Sequence, residues 1–91
     1  MALTPWRIEW DDSARRDLRR LGRPEQEQII AYLRERIATT DDPRRFGKPL
    51  RADLAGLWRY RISDYRLICR IEDHRLVVLV VTVGHRRDVY G

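Results

Sequence analysis

Residues 57–67 read LWRYRISDYRL, two alternating segments joined by a Ser-Asp pair. Alternating segments on either side of a two-residue polar pair predict two antiparallel strands joined by a tight turn. In the register that this turn sets, Arg61 faces Arg66 across the hairpin and Arg59 lies on the same face. The opposite face carries the apolar side chains, which are Trp58, Tyr60, Ile62, Tyr65 and Leu67. The stretch therefore predicts a hairpin with one face for the core and one face rich in guanidinium groups.

The placement of guanidinium groups opposite each other on this hairpin requires an explanation, because like charges that face each other across strands destabilise a sheet. An anion bound at this face would supply the reason. The alternative is a solvated sheet face on which the long arginine stems cover apolar surface. No carboxylate is predicted beside Arg61 and Arg66, and this favours the anion.

The positive charge of the chain is concentrated around this hairpin. The chain has 19 Lys and Arg residues and 14 Asp and Glu residues, a formal net charge of +5. Residues 44–66 hold seven of the basic and two of the acidic residues, and seven minus two is +5, so the remainder is balanced with twelve of each. A localised basic surface on a balanced body predicts a polyanionic partner, most often nucleic acid. Lys48 and Arg51, which precede the hairpin, are the candidates for phosphate contact outside the strands.

The length of 91 residues predicts a single compact domain, residues 1–91, with one modest core. The longest apolar run, LVVLVV at 76–81, is far shorter than the roughly 20 residues that span a bilayer, and MALTPW lacks the pattern of a signal peptide. We therefore expect a cytoplasmic protein without membrane contact. The single cysteine, Cys69, alternates with core positions and predicts a buried thiol. No disulfide, metal site or other cofactor is expected.

The chain before the hairpin predicts a strand, two helices and a loop. Residues 4–10, TPWRIEW, alternate apolar and charged side chains, which indicates a half-buried first strand. Apolar residues at helical spacing predict a first helix that stops at Gly22 and a second that opens at Pro24 and ends before TTDDP. These helices should form an antiparallel pair. Residues 43–56 show no period and predict a basic loop.

The chain after the hairpin predicts a last strand over residues 76–83, which is apolar at almost every position and should be an interior strand covered on both faces. The segment VGHRRDVYG follows. This segment leaves the last strand beside the hairpin. We therefore expect that its polar side chains can converge on the same face as the hairpin arginines, and the candidates are His85, Arg86, Arg87 and Tyr90.

Three segments of the chain resemble the RelE/ParE superfamily of type II toxin–antitoxin toxins, nearer the RelE-like branch. They are ARRDLRRL at 14–21, GKPLRADLAGLWRYRISDYRLICRIEDHRLVVLVV at 47–81 and VGHRRDVY at 83–90. The resemblance implies an α+β fold of order β-α-α-β-β-β, with a mainly antiparallel four-stranded sheet and a helix hairpin packed on one face. It also implies a metal-independent endoribonuclease that cleaves messenger RNA on the ribosome and inhibits translation.

The resemblance implies site residues as well. The positions that surround the scissile phosphate in RelE-type enzymes correspond to Arg59, Arg61, Arg66, Arg86 and Tyr90. By their charge, Lys48, Arg51 and Arg87 are candidates for RNA binding. The positions of Arg59 and Arg61 are often lysine in RelE-type nucleases. Here both are arginine, and a guanidinium is a poor proton acceptor at neutral pH. The candidates for the general base are therefore His85 and Tyr90, and the sequence does not decide between them.

The resemblance leaves alternative functions open. A ParE-like toxin would poison DNA gyrase without cleaving RNA, and a degenerate relative would bind nucleic acid without any activity. Either toxin reading implies a cognate antitoxin, with which the chain would form a hetero-oligomer. The nuclease reading adds the ribosome and messenger RNA as partners.

Overall fold

A computed structural model of the protein describes residues 5–85, which form a five-stranded sheet with two helices on one face. The strands are β1 (Arg7–Trp10), β2 (Lys48–Pro49), β3 (Leu57–Ile62), β4 (Tyr65–Glu72) and β5 (Val77–His85). The helical elements are α1 (Asp12–Arg19), α2 (Arg23–Tyr32), a π-helical segment (Leu33–Ile37) and two short 3-10 turns (Pro43–Phe46 and Ala52–Leu54). None of the helices within residues 5–85 is long and apolar enough to cross a membrane.

The strand order across the sheet is β1-β5-β4-β3-β2, with β1 parallel to β5 and every other pair antiparallel. This confirms the predicted α+β fold and the interior position of the last strand. The difference from the prediction is β2, a fifth strand within the segment 43–56 that was expected to be a loop. A strand of two residues has no detectable period, and its proline restricts it to a sheet edge.

The β3–β4 hairpin has the register that the sequence predicts. Ile62 pairs with Tyr65, Arg61 with Arg66 and Arg59 with Ile68. Ser63, at the turn, has φ of 56°, in the left-handed region. The register sends two sets of side chains to opposite sides of the sheet. We call the side that carries Arg59, Arg61 and Arg66 the arginine face, and the side that is covered by α1 and α2 the helix face.

The core lies between the helices and the helix face. Its largest fully buried side chains are Tyr60, Ile29, Leu33, Ile37, Leu67, Val78 and Val80. Cys69 is also fully buried, which confirms the predicted core thiol. Burial raises the pKa of this thiol, because a thiolate would be desolvated there. A buried, protonated thiol of this kind packs as a small apolar side chain.

A β-bulge interrupts the pairing of β4 with β5. Ile68 pairs with Thr82 but Cys69 pairs with Val80, so Val81 is the extra residue. Just beyond it, the backbone N–H of Val83 donates a hydrogen bond of 3.3 Å to the Asp17 carboxylate, which ties α1 to the sheet. The bulge shifts the alternation of β5. Val83 is buried on the helix face, while Gly84 pairs with Arg66 on the arginine face.

We predict that Ala52→Gly stabilises the protein and that Ala55→Gly destabilises it. Both alanines are exposed and lie in the same loop, but Ala52 has φ of 54° and Ala55 has φ of −56°. Glycine relieves strain only at the first, whereas at the second it adds only conformational entropy to the unfolded chain. Each change should be about 0.5–1 kcal/mol in the free energy of unfolding, measured in urea. Equal signs for the two variants would contradict the backbone assignment.

Candidate nucleic-acid interface

The arginine face brings together the basic side chains of three adjacent strands. Arg61 of β3 faces Arg66 of β4, and Lys48 of β2 pairs with Arg59 of β3. Because residues paired across strands project to the same side of a sheet, Lys48 adds an ammonium group next to the guanidinium groups. The candidate site therefore extends beyond the predicted hairpin and includes Lys48 of β2.

Arg59 is half-buried, and its Nε atom is buried without a hydrogen-bond acceptor among residues 5–85. Arg61 is exposed and makes no ion pair with any described carboxylate. A buried donor without an acceptor is costly, because it has lost its water without gaining a partner. An anion at this face would supply the missing acceptor.

Acidic side chains on the same side of the sheet are gathered at its other end. There Arg75 lies 2.9 Å from a carboxylate oxygen of Glu72 and 3.4 Å from one of Glu9, and Arg7 also lies 3.4 Å from Glu9. These pairs are close to the β4–β5 turn, whereas Arg61 and Arg66 are next to the β3–β4 turn. One end of the face is thus balanced in charge and the other end is cationic.

The basic loop before β2 is anchored to the sheet by two contacts. The Tyr60 hydroxyl donates a hydrogen bond of 2.8 Å to the carbonyl oxygen of Pro43. Arg44 binds Asp73 through two hydrogen bonds of 3.1 and 2.7 Å, with its guanidinium carbon 5.9 Å from the centre of the Trp58 ring. Burial raises the pKa of the Tyr60 phenol, so it remains a neutral donor. The loop therefore approaches β3 in a defined position.

Gly47 allows β2 to lie against β3. A Cβ atom at this position would be 2.8 Å from the carbonyl oxygen of Arg59 and 3.0 Å from Cε1 of Tyr60. A larger residue would push the chain away from β3, and the pairing of Lys48 with Arg59 depends on that contact. The sequence analysis missed the pairing of Lys48 with Arg59. The Gly-Lys-Pro motif at 47–49 is the only sequence signal for it.

His85 lies on the other side of the sheet from the hairpin arginines. It pairs with Tyr65, and the two rings are in edge contact with their centroids 5.8 Å apart. Tyr65 pairs with the buried Ile62, so both rings belong to the helix face. The imidazole is exposed at the end of β5. The structure therefore does not bring His85 together with Arg61 and Arg66.

The remaining candidate residues lie in the loop or beyond the described part of the chain. Arg51 is exposed between β2 and the second 3-10 turn. Arg86, Arg87 and Tyr90 lie outside residues 5–85. Arg70, which the sequence analysis did not single out, is exposed on the arginine face opposite Leu57. Within the described residues, no group of three or more His, Cys, Asp and Glu side chains could hold a metal ion.

The fold is that of the toxins of type II toxin–antitoxin systems. Residues 8–90 match the family described as ParE toxin of type II toxin-antitoxin system, parDE. The chain belongs to this family.

The named relatives are Rel toxins. The chain is 39% identical over 89 residues to Toxin RelG of Mycobacterium tuberculosis, covering 94% of this chain and 97% of the relative. It is 31% identical over 88 residues to the mRNA interferase toxin RelE of Escherichia coli, covering 92% and 88%. The predicted membership of the RelE/ParE superfamily, in its RelE-like branch, is confirmed.

Solved structures of Rel toxins have the same fold. The toxin–antitoxin complex RelBE2 of Mycobacterium tuberculosis contains a chain that superposes with a TM-score of 0.83 at 34% identity, covering 94% of this chain and 97% of that one. The isolated RelE toxin of Escherichia coli superposes with a TM-score of 0.68 at 26% identity, covering 88% and 83%.

We predict that Asp73→Asn destabilises the protein at pH 7 and that this effect disappears in acid. The hydrogen bonds from Arg44 hold the pKa of the Asp73 carboxyl below its ordinary value. A carboxyl whose pKa is lowered by folding stabilises the fold above its unfolded pKa of about 3.9 and loses that contribution as the pH falls through the folded pKa. Urea midpoints of parent and variant should therefore differ at pH 7 and converge as the pH falls below the unfolded pKa of about 3.9 and then below the folded pKa.

The matched control for this measurement is Asp53→Asn. Asp53 is exposed and makes no ion pair within the described chain. Its substitution should leave the midpoint unchanged at pH 7. A difference between parent and Asp73→Asn that persists in acid would assign the effect to packing instead of charge.

Proposed function

We propose that this toxin is an endoribonuclease, an mRNA interferase that cleaves messenger RNA on the ribosome and so inhibits translation. The observation that carries the proposal is the pairing of Arg61 with Arg66 and of Lys48 with Arg59 on one open sheet face. A cluster of cations on one sheet face suits a phosphate backbone. The name of the Escherichia coli relative, mRNA interferase toxin RelE, supports the reaction class.

The proposed reaction uses the 2′-hydroxyl of the RNA as the nucleophile against the adjacent phosphate and needs no metal. Three tasks follow: removal of the hydroxyl proton, stabilisation of a phosphorane with added negative charge, and protonation of the leaving 5′-oxygen. Guanidinium groups suit the second task, because a planar fork donates two hydrogen bonds to two phosphate oxygens. The partly desolvated Arg59 would be a strong donor of this kind.

The proposed roles divide the basic residues into two groups. Arg59, Arg61 and Arg66, with Arg86 from the chain beyond β5, surround the scissile phosphate. The second group holds the neighbouring phosphates of the strand and consists of Lys48, Arg51 and Arg87. Charge that is already in place when the substrate arrives lowers the barrier without reorganisation of solvent.

The general base of the proposed reaction is His85 or Tyr90. An imidazole accepts protons readily at neutral pH. The position of His85 on the helix face argues against it, because Arg61 and Arg66 project to the opposite side. A phenol near several guanidinium groups loses its proton more easily than a free one. The placement of His85 therefore favours Tyr90.

A cognate antitoxin is the proposed partner that holds this activity in check. A solved relative is itself a toxin–antitoxin complex, RelBE2, which supports a hetero-oligomer. A basic open face attracts an acidic segment that folds on contact and covers the site. The proposed place of action is the cytoplasm, where ribosomes and messenger RNA are found.

The second candidate function is poisoning of DNA gyrase, and the family description as a ParE toxin favours it. A catalytically inactive nucleic-acid-binding relative is the third. Incubation of the protein with translating ribosomes, followed by mapping of messenger ends, separates the nuclease from both. Gyrase-dependent DNA breaks without messenger cleavage would replace the proposal with the second function.

We predict that Arg66→Ala lowers the rate of messenger cleavage about a hundredfold and leaves the thermal midpoint of unfolding nearly unchanged. Loss of one transition-state donor costs roughly 3 kcal/mol. Arg70→Ala is the matched control, because Arg70 lies on the same strand and face but near the other end of the hairpin. Single-turnover rates on ribosome-bound messenger should separate the two variants. Equal rates for both would remove Arg66 from the site.

We predict that RNA binding weakens steeply with salt and that Lys48→Ala and Arg51→Ala each reduce the slope by about one unit. Each phosphate contact releases roughly one counterion, so the slope counts contacts. Arg45→Ala is the control, because Arg45 is paired with Asp41 at 3.0 Å. Filter binding over a salt series measures the slope. A slope that neither Lys48→Ala nor Arg51→Ala changes would leave both residues without phosphate contact.

We predict that Tyr90→Phe slows single-turnover cleavage and that His85→Ala keeps the parent rate. The phenol is proposed to take the proton, whereas the imidazole projects away from the arginine face. Rates measured across pH for both variants distinguish a base from a binding residue, because removal of a base abolishes the rising limb of the pH profile. The opposite result, a slow His85→Ala, would restore the histidine as the base.

A further inference from the structure

Arg44 connects the basic loop to two other parts of the chain. Its guanidinium donates hydrogen bonds of 3.1 and 2.7 Å to the two carboxylate oxygens of Asp73, which lies 29 positions later in the β4–β5 turn. Its guanidinium carbon is 5.9 Å from the centre of the Trp58 ring of β3. The contact of 2.7 Å is the shortest ion pair within residues 5–85. We call Arg44 and Asp73 the clamp.

The clamp lies on the other side of the sheet from the proposed phosphate site. Trp58 pairs with Cys69, which is fully buried against the helices, so the Trp58 ring projects to the helix face. The guanidinium of Arg44 is held beside that ring. The two charges of the clamp therefore face each other and not the arginine face.

The strand that carries Lys48 is too short to hold its own place in the sheet. β2 pairs with β3 through two residues, and one of them, Pro49, has no backbone N–H to donate. Directly after β2, the Leu50 N–H donates a hydrogen bond of 3.0 Å to the carbonyl oxygen of Leu57. The position of Lys48 therefore depends on what holds the chain before and after it.

A short run of contacts leads from the clamp to Lys48. The Gly47 N–H donates a hydrogen bond of 3.3 Å to the carbonyl oxygen of Arg44. Gly47 lies so close to β3 that a Cβ atom on it would be 2.8 Å from the carbonyl oxygen of Arg59. Lys48 follows directly and pairs with Arg59. Loss of the clamp would therefore release the segment that places Lys48 beside Arg59.

The alternative is an ordinary surface ion pair, which contributes little to stability and nothing to binding. The geometry argues against it. Arg44 uses both arms of its planar fork on one carboxylate and lies beside an aromatic ring as well, which fixes its orientation. The pair also joins two segments that are distant in the sequence, so it restrains the loop as a whole.

We propose that Asp73 is a positioning residue for RNA binding: through Arg44, it holds the basic loop so that the ammonium group of Lys48 lies beside Arg59. The inference rests on the proposed function in taking RNA as the ligand of the arginine face. It has the opposite sign to a general charge effect. Removal of a carboxylate from a cationic protein should strengthen RNA binding. Removal of the Asp73 carboxylate weakens it, because Lys48 loses its place.

The test measures binding of a short 2′-O-methylated RNA oligonucleotide to the full chain over a salt series. This probe has phosphates but no 2′-hydroxyl nucleophile, so binding is measured without cleavage. Asp73 is exposed, and Asp73→Asn should fold, bind the probe more weakly than the parent and reduce the salt slope by about one unit, as predicted for Lys48→Ala.

Glu72→Gln is the matched control. It removes a carboxylate from the adjacent position, but Glu72 is paired with Arg75, which lies outside the basic loop. This variant should keep the parent slope and bind the probe at least as tightly as the parent. Asp73→Asn with the parent slope, or with tighter binding, would show a charge effect alone and overturn the proposal.

A double variant tests whether Asp73 acts through Lys48. When Lys48→Ala is already present, Asp73→Asn should cause no further loss of slope, because the contact that it positions is gone. Additive losses would assign Asp73 an independent effect and overturn the proposal. A parent protein that binds no RNA would overturn the proposed function and this inference with it. Binding that depends on Lys48 but not on Asp73 would overturn this inference alone.

Amide exchange measures the effect on the loop without RNA. The Leu50 N–H, which bonds to Leu57, should exchange about tenfold faster in Asp73→Asn than in the parent, because the loop opens locally. The Asp11 N–H, which donates to the carbonyl oxygen of Val80 at the other edge of the sheet, should keep its rate. Equal acceleration at both sites would show a loss of global stability and would contradict a role in positioning.

Discussion

The two-residue turn between Ile62 and Tyr65 is the constraint on which the candidate site depends, because it sets the register of β3 against β4. A slip of one residue would turn Arg59 and Arg61 towards the helices and bring Tyr60 out of the core. The buried Tyr60 resists that slip, since its hydroxyl is also held by the carbonyl of Pro43. The register thus couples the packing of the core to the position of the charges.

The arginine face concentrates repulsion at one end of a sheet that is otherwise balanced in charge. Arg75 neutralises Glu72 and Glu9 near the β4–β5 turn, but Arg61 faces Arg66 near the opposite turn. Core packing on the other side of the same strands must offset that repulsion in the free protein. An anion bound there, as proposed, would relieve it, so that binding and stability would be linked at this face.

The parts of the fold that repeat a local pattern could be predicted from the sequence, and the parts that depend on contacts between distant segments could not. Alternation predicted the hairpin register and the arginine face, and a buried Cys69. No period marks β2, so the pairing of Lys48 with Arg59 was missed. The bulge at Val81 has no local signal either, and it decides that Gly84 and not Val83 pairs with Arg66.

The parallel pairing of β1 with β5 also bears on how the protein is made. Arg7 pairs with Val77, so the two strands are separated by 77 minus 7, or 70, positions in a chain of 91. Contacts so distant in sequence form late and slowly. A nascent chain lacks the neighbour of β1 until β5 has been synthesised, and interrupted synthesis yields fragments that cannot close the sheet. Completion of translation is thus a condition for a folded toxin.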